Sequence, residues 1–153
     1  MATVTSTIDA AMNAFVDGML ARANIISAGV QVSSGYLGGD TAAKESIQLT
    51  NAPQAEQKWG MLGNRRRDEE YTLAGLIWVV KAGKNETIIR EARARAFELL
   101  AEIEDFLRLD PTIGATTKVS ELSRYPVDQG ASEEGRWCQI DFEITCKKDL
   151  RSS

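Results

Sequence analysis

Residues 86–114, ETIIREARARAFELLAEIEDFLRLDPTIG, decide how the rest of the chain has to be arranged. Ile89, Ala92, Ala96, Leu99, Leu100, Ile103, Phe106 and Leu107 recur at amphipathic-helix spacing and give one apolar stripe from about Glu86 to Leu109. The opposite face is ionic. Glu86 with Arg90, Glu91 with Arg95 and Glu104 with Arg108 stand acid before base at i,i+4, each pair contributing roughly 0.2–0.5 kcal/mol to an isolated helix. Asn85 supplies a cap. Pro111 pushes the residue before it out of helical dihedrals, so Asp110 ends the element and Gly114 offers the turn that sends the chain back. A long helix with one apolar stripe must bury it against a second layer.

The candidate second layer lies on both sides of that helix. The run YTLAGLIWVV over 71–80 reads as the end of a long central strand, reached by a hairpin through Trp59, Met61 and a Gly63-Asn64 turn. Leu76, Trp78 and Val80 point one way and Ile77 and Val79 the other, so one layer of helix cannot account for all the burial this strand asks for. A partner subunit or helix is expected on the second face. After the helix, 116–127 is a weakly patterned strand with Val119 and Leu122, ended near Pro126, and 128–135 reads as a polar connection. From Trp137 to Lys147 the alternation is clean, with Cys138, Ile140, Phe142, Ile144 and Cys146 on one face and polar groups on the other, Trp137 among them.

Before the hairpin, 6–24 reads as a helix with Ile8, Met12, Phe15, Val16, Met19 and Leu20 on one side and Ser6 or Thr7 as cap. Short strands are expected at 29–32 and 47–50, a glycine- and serine-rich loop at 33–41, and irregular chain over 51–57, which holds Pro53. The expected fold class is α+β: a single domain over 1–153, with an antiparallel sheet packed by an N-terminal helix and one long central helix.

Composition bounds the function. A chain of 153 residues and 16.8 kDa with 43% hydrophobic content suits one domain with its own core. A net charge of -4 argues against a dedicated nucleic-acid surface and against an anionic membrane surface. No run approaches the roughly 20 apolar residues of a membrane span, and the N-terminus lacks a signal-peptide pattern, so the chain is expected to stay in the cytoplasm where it is made. Cys138 and Cys146 on one strand would lie about 26 Å apart, beyond the roughly 7 Å a disulfide spans, and are expected buried and reduced.

The chemistry that remains is sparse. The chain has no histidine, which removes Ser-His-Asp, Cys-His and histidine-metal arrangements. The glycines over 35–40 lack the spacing and the Lys-Ser/Thr ending of a phosphate loop. Asp68, Glu69 and Glu70 alternate faces on a strand, which disfavours convergence on one cation; a solvated strand start is the plainer reading. Arg65, Arg66 and Arg67 beside those three acids leave little net field and fit neutral surface, a subunit contact or, last, nucleic acid. Trp59, Trp78 and Trp137 fit a core, although Trp137 on a polar face suits an interface. No catalytic, cofactor-binding or metal-binding residue is expected.

The order of these pieces over about 120 residues resembles the tail terminator proteins of long-tailed bacteriophages, particularly those infecting actinobacteria. Residues 59–71, WGMLGNRRRDEEY, are similar to that family's glycine-, arginine- and acid-rich turn before the central strand. Arg93-Ala94-Arg95-Ala96 in a long helix that closes with 107–114, LRLDPTIG, resembles its helix and D-P-T-L-G junction, and a glycine-led strand such as 135–147 closes the chain. The family often has a second glycine where this chain has Ala115, and the loop over 37–57 departs from its pattern. The resemblance implies a virion protein of the tail-neck region, assembled in the host cytoplasm. It would form a homo-hexameric ring that caps the tail tube, stops its polymerisation and presents the surface that docks the head.

Its implied partners are further copies of the chain, the tail tube protein and the head-completion or stopper protein of the neck, with DNA passing the lumen without specific binding. Six copies at -4 each carry about -24, which repels DNA if enough acid lines that lumen. Candidate ring contacts are the stretch Arg65, Arg66, Arg67, Asp68, Glu69 and Glu70, the connection over 128–135, and Trp137. Two alternatives stand beside this one: a stopper protein of the same neck, and a small-ligand-binding α+β domain working through Asp68, Glu70 and the arginines.

Overall fold

The computed structural model describes residues 6–35, 44–51, 56–61, 66–117 and 119–151. The Gly63-Asn64 turn, Pro53, Arg65 and residues 36–41 of the glycine-rich loop lie outside the described residues, as do the side chains of Trp59, Arg66 and Arg67. Of the stretch expected to be irregular over 51–57, Asn51 ends one strand and Glu56 and Gln57 begin the next. In chain order the elements are α1 (Ile8–Leu20), α2 (Ala23–Ile26), β1 (Gln31–Ser33), β2 (Glu45–Asn51), β3 (Glu56–Met61), β4 (Arg66–Lys81), α3 (Glu86–Leu109), β5 (Val119–Arg124), β6 (Val127–Ser132) and β7 (Gly135–Arg151). They form the expected α+β arrangement.

One sheet of seven strands carries the domain, in the order β1-β2-β4-β7-β5, with β3 also on β4 and β6 also on β7. β4 and β7 pair antiparallel over their whole lengths, from Arg66 opposite Arg151 to Lys81 opposite Arg136. All pairings are antiparallel except β1 with β2, so the sheet is mixed. The connection expected over 128–135 is itself a strand: β6 turns through Glu133 and Glu134 into β7 as a tight hairpin. Its polar composition hid it, because β6 is an edge strand whose side chains are almost all exposed.

The helices lie on one face of the sheet. On β4 the odd-numbered residues Tyr71, Leu73, Ile77 and Val79 are buried, and on β7 Cys138, Ile140, Phe142, Ile144 and Cys146 face the same way. Against them α3 sets Ala92, Ala96, Leu99, Leu100, Ile103, Phe106 and Leu107, and α1 sets Ala11, Phe15 and Met19. Phe15 sits between Phe106, edge-on at 5.9 Å, and Phe142 at 6.1 Å. Each large side chain in this cluster contributes about 1.5–3 kcal/mol by leaving water. Tertiary packing, and not the surface ion pairs, therefore holds α3 helical.

Two of the three expected pairs on α3 form, Glu86 with Arg90 at 3.1 Å and Glu104 with Arg108 at 2.7 Å. The third does not. Arg95 bonds Glu45 of β2 at 2.9 Å and Glu98 at 2.9 Å in place of Glu91, because its half-buried side chain reaches the sheet. Asn85 caps the helix as expected, its side chain accepting from the Ile88 amide at 3.0 Å. At the other end Asp110 leaves the helix with φ -138, and its carboxylate accepts from the Thr112 hydroxyl and the Gly114 amide, both at 2.7 Å. These two bonds hold the Asp110 carboxyl below its ordinary range. The turn they fix carries three positive φ values in succession, at Ile113, Gly114 and Ala115. The Pro111 carbonyl then accepts from Ser120 at 2.7 Å and so ties the turn to β5.

Gly75 marks the tightest approach in the core. A Cβ there would collide with the Phe142 ring and lie 2.6 Å from the Gln48 carbonyl oxygen. Gly75→Ala is expected to cost about 1–3 kcal/mol, read from urea unfolding, because the ring is held by Phe15 and cannot retreat. Asp110→Ala is expected to cost about 1 kcal/mol at neutral pH through the lost turn bonds. A carboxyl lowered in the native state stabilises above its ordinary value and loses that contribution as pH falls through the native one. The deficit of Asp110→Ala against the parent should therefore shrink between pH 7 and pH 3 in the same experiment.

Candidate assembly surfaces

From Arg66 on, the arginine- and acid-rich stretch forms the first residues of β4. Arg66 to Glu70 pair with β3 on one side and with Lys147 to Arg151 on the other. Strand alternation divides the acids. Glu70 is exposed, with Lys147 3.9 Å away on β7, and Asp68 is half-buried on the same face. Glu69 turns under the helices and has no exposed surface, which corrects the expectation of a solvated strand start. Its Oε1 accepts from the Thr7 amide at 2.9 Å and from the Thr7 hydroxyl at 2.8 Å. With that proton committed to Glu69, the Tyr71 hydroxyl, 2.9 Å away, donates to Thr7. Burial pushes the Tyr71 phenol well above its ordinary value, so it remains a donor. Thr7 is the N-cap residue of α1 but spends its side chain on this relay, and the Ser6 hydroxyl accepts from the Ile8 amide at 3.2 Å.

The other face of the sheet has no helix on it among the described residues. Even-numbered β4 side chains, Thr72, Ala74, Leu76 and Trp78, are half-buried there beside Ser46 and Gln48 of β2 and Trp137, Gln139, Glu143 and Thr145 of β7. Trp78 and Trp137 stack, with ring centroids 5.0 Å apart. Trp137 lies opposite Val80 and diagonal to Trp78, and the stack covers Val80 to 4% exposure. Gly130 of β6 makes room for the Trp137 ring, since a Cβ there would strike the indole. The second apolar face read from Leu76, Trp78 and Val80 therefore exists. The two tryptophans partly shield it themselves.

A cleft of about 580 Å³ opens where β2 meets the end of β4, lined by Ala28, Lys44, Glu45, Lys81 and Arg95 among others. Glu45 at its base holds Arg95 at 2.9 Å and Lys81 at 3.6 Å. Hydrogen bonding to Glu45 raises the Arg95 guanidinium further above its already high value. Nothing in this set provides a nucleophile with an adjacent base. Burial pushes the Cys146 thiol up to about 12 and raises Cys138 as well, so both stay protonated on the covered face. Among the described residues no His/Cys/Asp/Glu group is placed to hold a metal ion, and no helix is long and apolar enough to cross a membrane.

No family model and no curated protein sequence matches the chain. Its fold is one found in a virion. A chain in the structure of the virion of a native gene transfer agent particle superposes with a TM-score of 0.55 at 10% sequence identity, over 97% of this chain and 100% of that one. Identity this low establishes a shared fold and nothing finer. The match runs over nearly the whole of both chains.

Of the residues singled out from sequence, Asp68 and Glu70 share the open face with Trp137, whereas Glu69 is withdrawn into the core. The bonds of Thr7 to Glu69 and to Tyr71 have no counterpart in the sequence pattern, since contacts 62 and 64 residues apart leave no local signal. The tryptophan stack was recoverable in principle, once Val80 is paired with Trp137 in register. Glu69→Ala strands the Thr7 amide and hydroxyl, and is expected to destabilise by about 3 kcal/mol. Hydrogen exchange should accelerate first in α1, and Glu69→Gln, which keeps an acceptor, should recover much of the loss.

Proposed function

We propose that the chain is a structural protein of a phage-type virion, a tail terminator that caps the tail tube as a homo-hexameric ring in the neck. The observation that carries this reading is the end-to-end fold likeness to a chain of a gene transfer agent virion. The resemblance of 59–71 and 107–114 to tail terminators points the same way. In this reading the domain is a rigid wedge. The helix-covered side supplies its stiffness, and the open sheet face with Trp78 and Trp137 is one surface on which a neighbour sits.

Asp68 and Glu70 belong to the contact surface at the β3 end of the sheet, towards the tube or the next ring, and Arg65, Arg66 and Arg67, which precede them in sequence, are its candidate basic residues. Glu69 acts behind them by fixing the strand to α1. The partners are further copies of the chain, the tail tube protein and the stopper of the neck. Acid in excess, at -4 per copy, lets DNA pass the lumen without being held. The role is architectural and needs no cofactor.

The deciding measurement is the length distribution, by electron microscopy, of tubes grown from the cognate tail tube protein with and without this chain. Tubes should stop growing at an end decorated by a ring, and replacing Arg65, Arg66 and Arg67 together by serine should leave a folded protein that no longer decorates ends. Unchanged growth with the chain unbound would refute termination. Binding to the portal side without any effect on tube length would assign it to the stopper instead.

A further inference from the structure

Two features of opposite charge stand at the same end of the sheet, on opposite flanks. One is the turn of the β6–β7 hairpin, where Glu133 and Glu134 are both exposed. Arg136 behind the turn donates to the Gly135 carbonyl at 3.3 Å, so the tip itself presents two carboxylates. The other is the cleft beside β2. Glu45 and Glu98 engage Arg95 in it, and Lys81 remains 37% exposed along its side chain. Lys44 stands exposed at its mouth. The residues that line the cleft thus carry three cations, Lys44, Lys81 and Arg95, against the one carboxylate of Glu45, and the exposed charges among them are the two lysines; Glu98, outside the lining, is itself exposed and spends its charge on Arg95.

Register places them at one height. The Val80 amide donates to the Lys44 carbonyl at 2.9 Å, and Arg136, next to the turn, lies opposite Lys81. Turn and cleft mouth are therefore within about three residues of each other along the strand direction, roughly 10 Å at about 3.4 Å per residue. Rotation about an axis preserves height along that axis, so a repeated head-to-tail contact joins two patches at one level on opposite flanks. A ring whose axis runs roughly along β4 and β7 meets that condition.

We infer that the Glu133–Glu134 hairpin tip of one copy docks into the Lys44–Lys81 cleft of the next, and that this pairing sets the direction and register of self-assembly. The inference rests on the ring reading above and names its lateral contact. The occupant is a second copy, because the acid tip that the cleft selects is carried by the chain itself. Exposed ion pairs contribute little individually. Their role here is to steer the encounter and to reject the reversed neighbour, which would bring lysines onto lysines.

Charge reversal in the full chain tests it, with native mass spectrometry and sedimentation for the free protein and electron microscopy for decorated tube ends. Glu133→Lys with Glu134→Lys, at an exposed turn, should keep the circular dichroism and Tm of the parent and weaken self-association by at least about tenfold. Lys44→Glu with Lys81→Glu should do the same from the receiving side, and Lys44→Glu alone replaces it if the pair loses its fold. Combining both reversals in one chain should restore assembly, as should mixing the two double variants, because every tip then meets a cleft of opposite sign. Full assembly by Glu133→Lys/Glu134→Lys, or no recovery in the combined variant, would overturn the contact while leaving the ring in place. A parent chain that is monomeric both in solution and at tube ends would overturn the ring, and this contact with it.

Discussion

The ladder between β4 and β7 is the constraint on which everything else in this molecule depends. It runs unbroken from Arg66–Arg151 to Lys81–Arg136 and leaves every other strand a flank position. Because side chains alternate along a strand, this single register places Leu73, Ile77 and Val79 with Cys138, Ile140 and Ile144 under the helices. It also places Leu76 and Trp78 with Trp137 and Gln139 on the open face. A slip of one residue in β7 would carry Asp141 and Glu143 into the core. Gly75 opposite Phe142 is a further check on the register, because the ring fits only where the facing residue has no side chain.

Helix α3 and the covered half of the sheet were legible in the sequence for a physical reason. A stripe that repeats at helical spacing over 24 residues, closed by Asn85 and Asp110-Pro111, has few competing interpretations. The alternation from Cys138 to Cys146 is equally plain. Edge structure was much less legible. β6 is exposed nearly throughout and has no buried face to write a pattern into its sequence, so Asp128 to Gly135 looked like a connection. Parallel pairing of β1 with β2 depends on a chain path, not on residue type, and three residues carry no signature of direction.

The candidate surfaces were legible in part, and the limit is again one of distance along the chain. Arginines and acids before the central strand advertise a charged segment, but Glu69 is distinguished from Glu70 by its burial and its bonds to Thr7, which Tyr71 also engages. Glu91 and Glu45 compete for Arg95, and the sheet residue wins because the guanidinium sits where α3 meets β2. Ala115 is instructive in the opposite sense. The resemblance places a glycine there, and the backbone adopts φ +64, a left-handed conformation that an L-residue enters at a cost of roughly 1–2 kcal/mol.

The two long strands are flanked differently along their two halves. Towards the Lys81 end the neighbours are β2 with β1 on one side and β6 on the other; towards the Arg66 end they are β3 and β5. Four short flanking segments therefore surround one stiff bar, and each pair is rooted in a different stretch of it. Contacts made at one end are mechanically supported by the bar yet share no side chains with contacts made at the other. Sequence change in the flanking strands at the Arg66 end can thus alter the surface there without disturbing the packing at the Lys81 end.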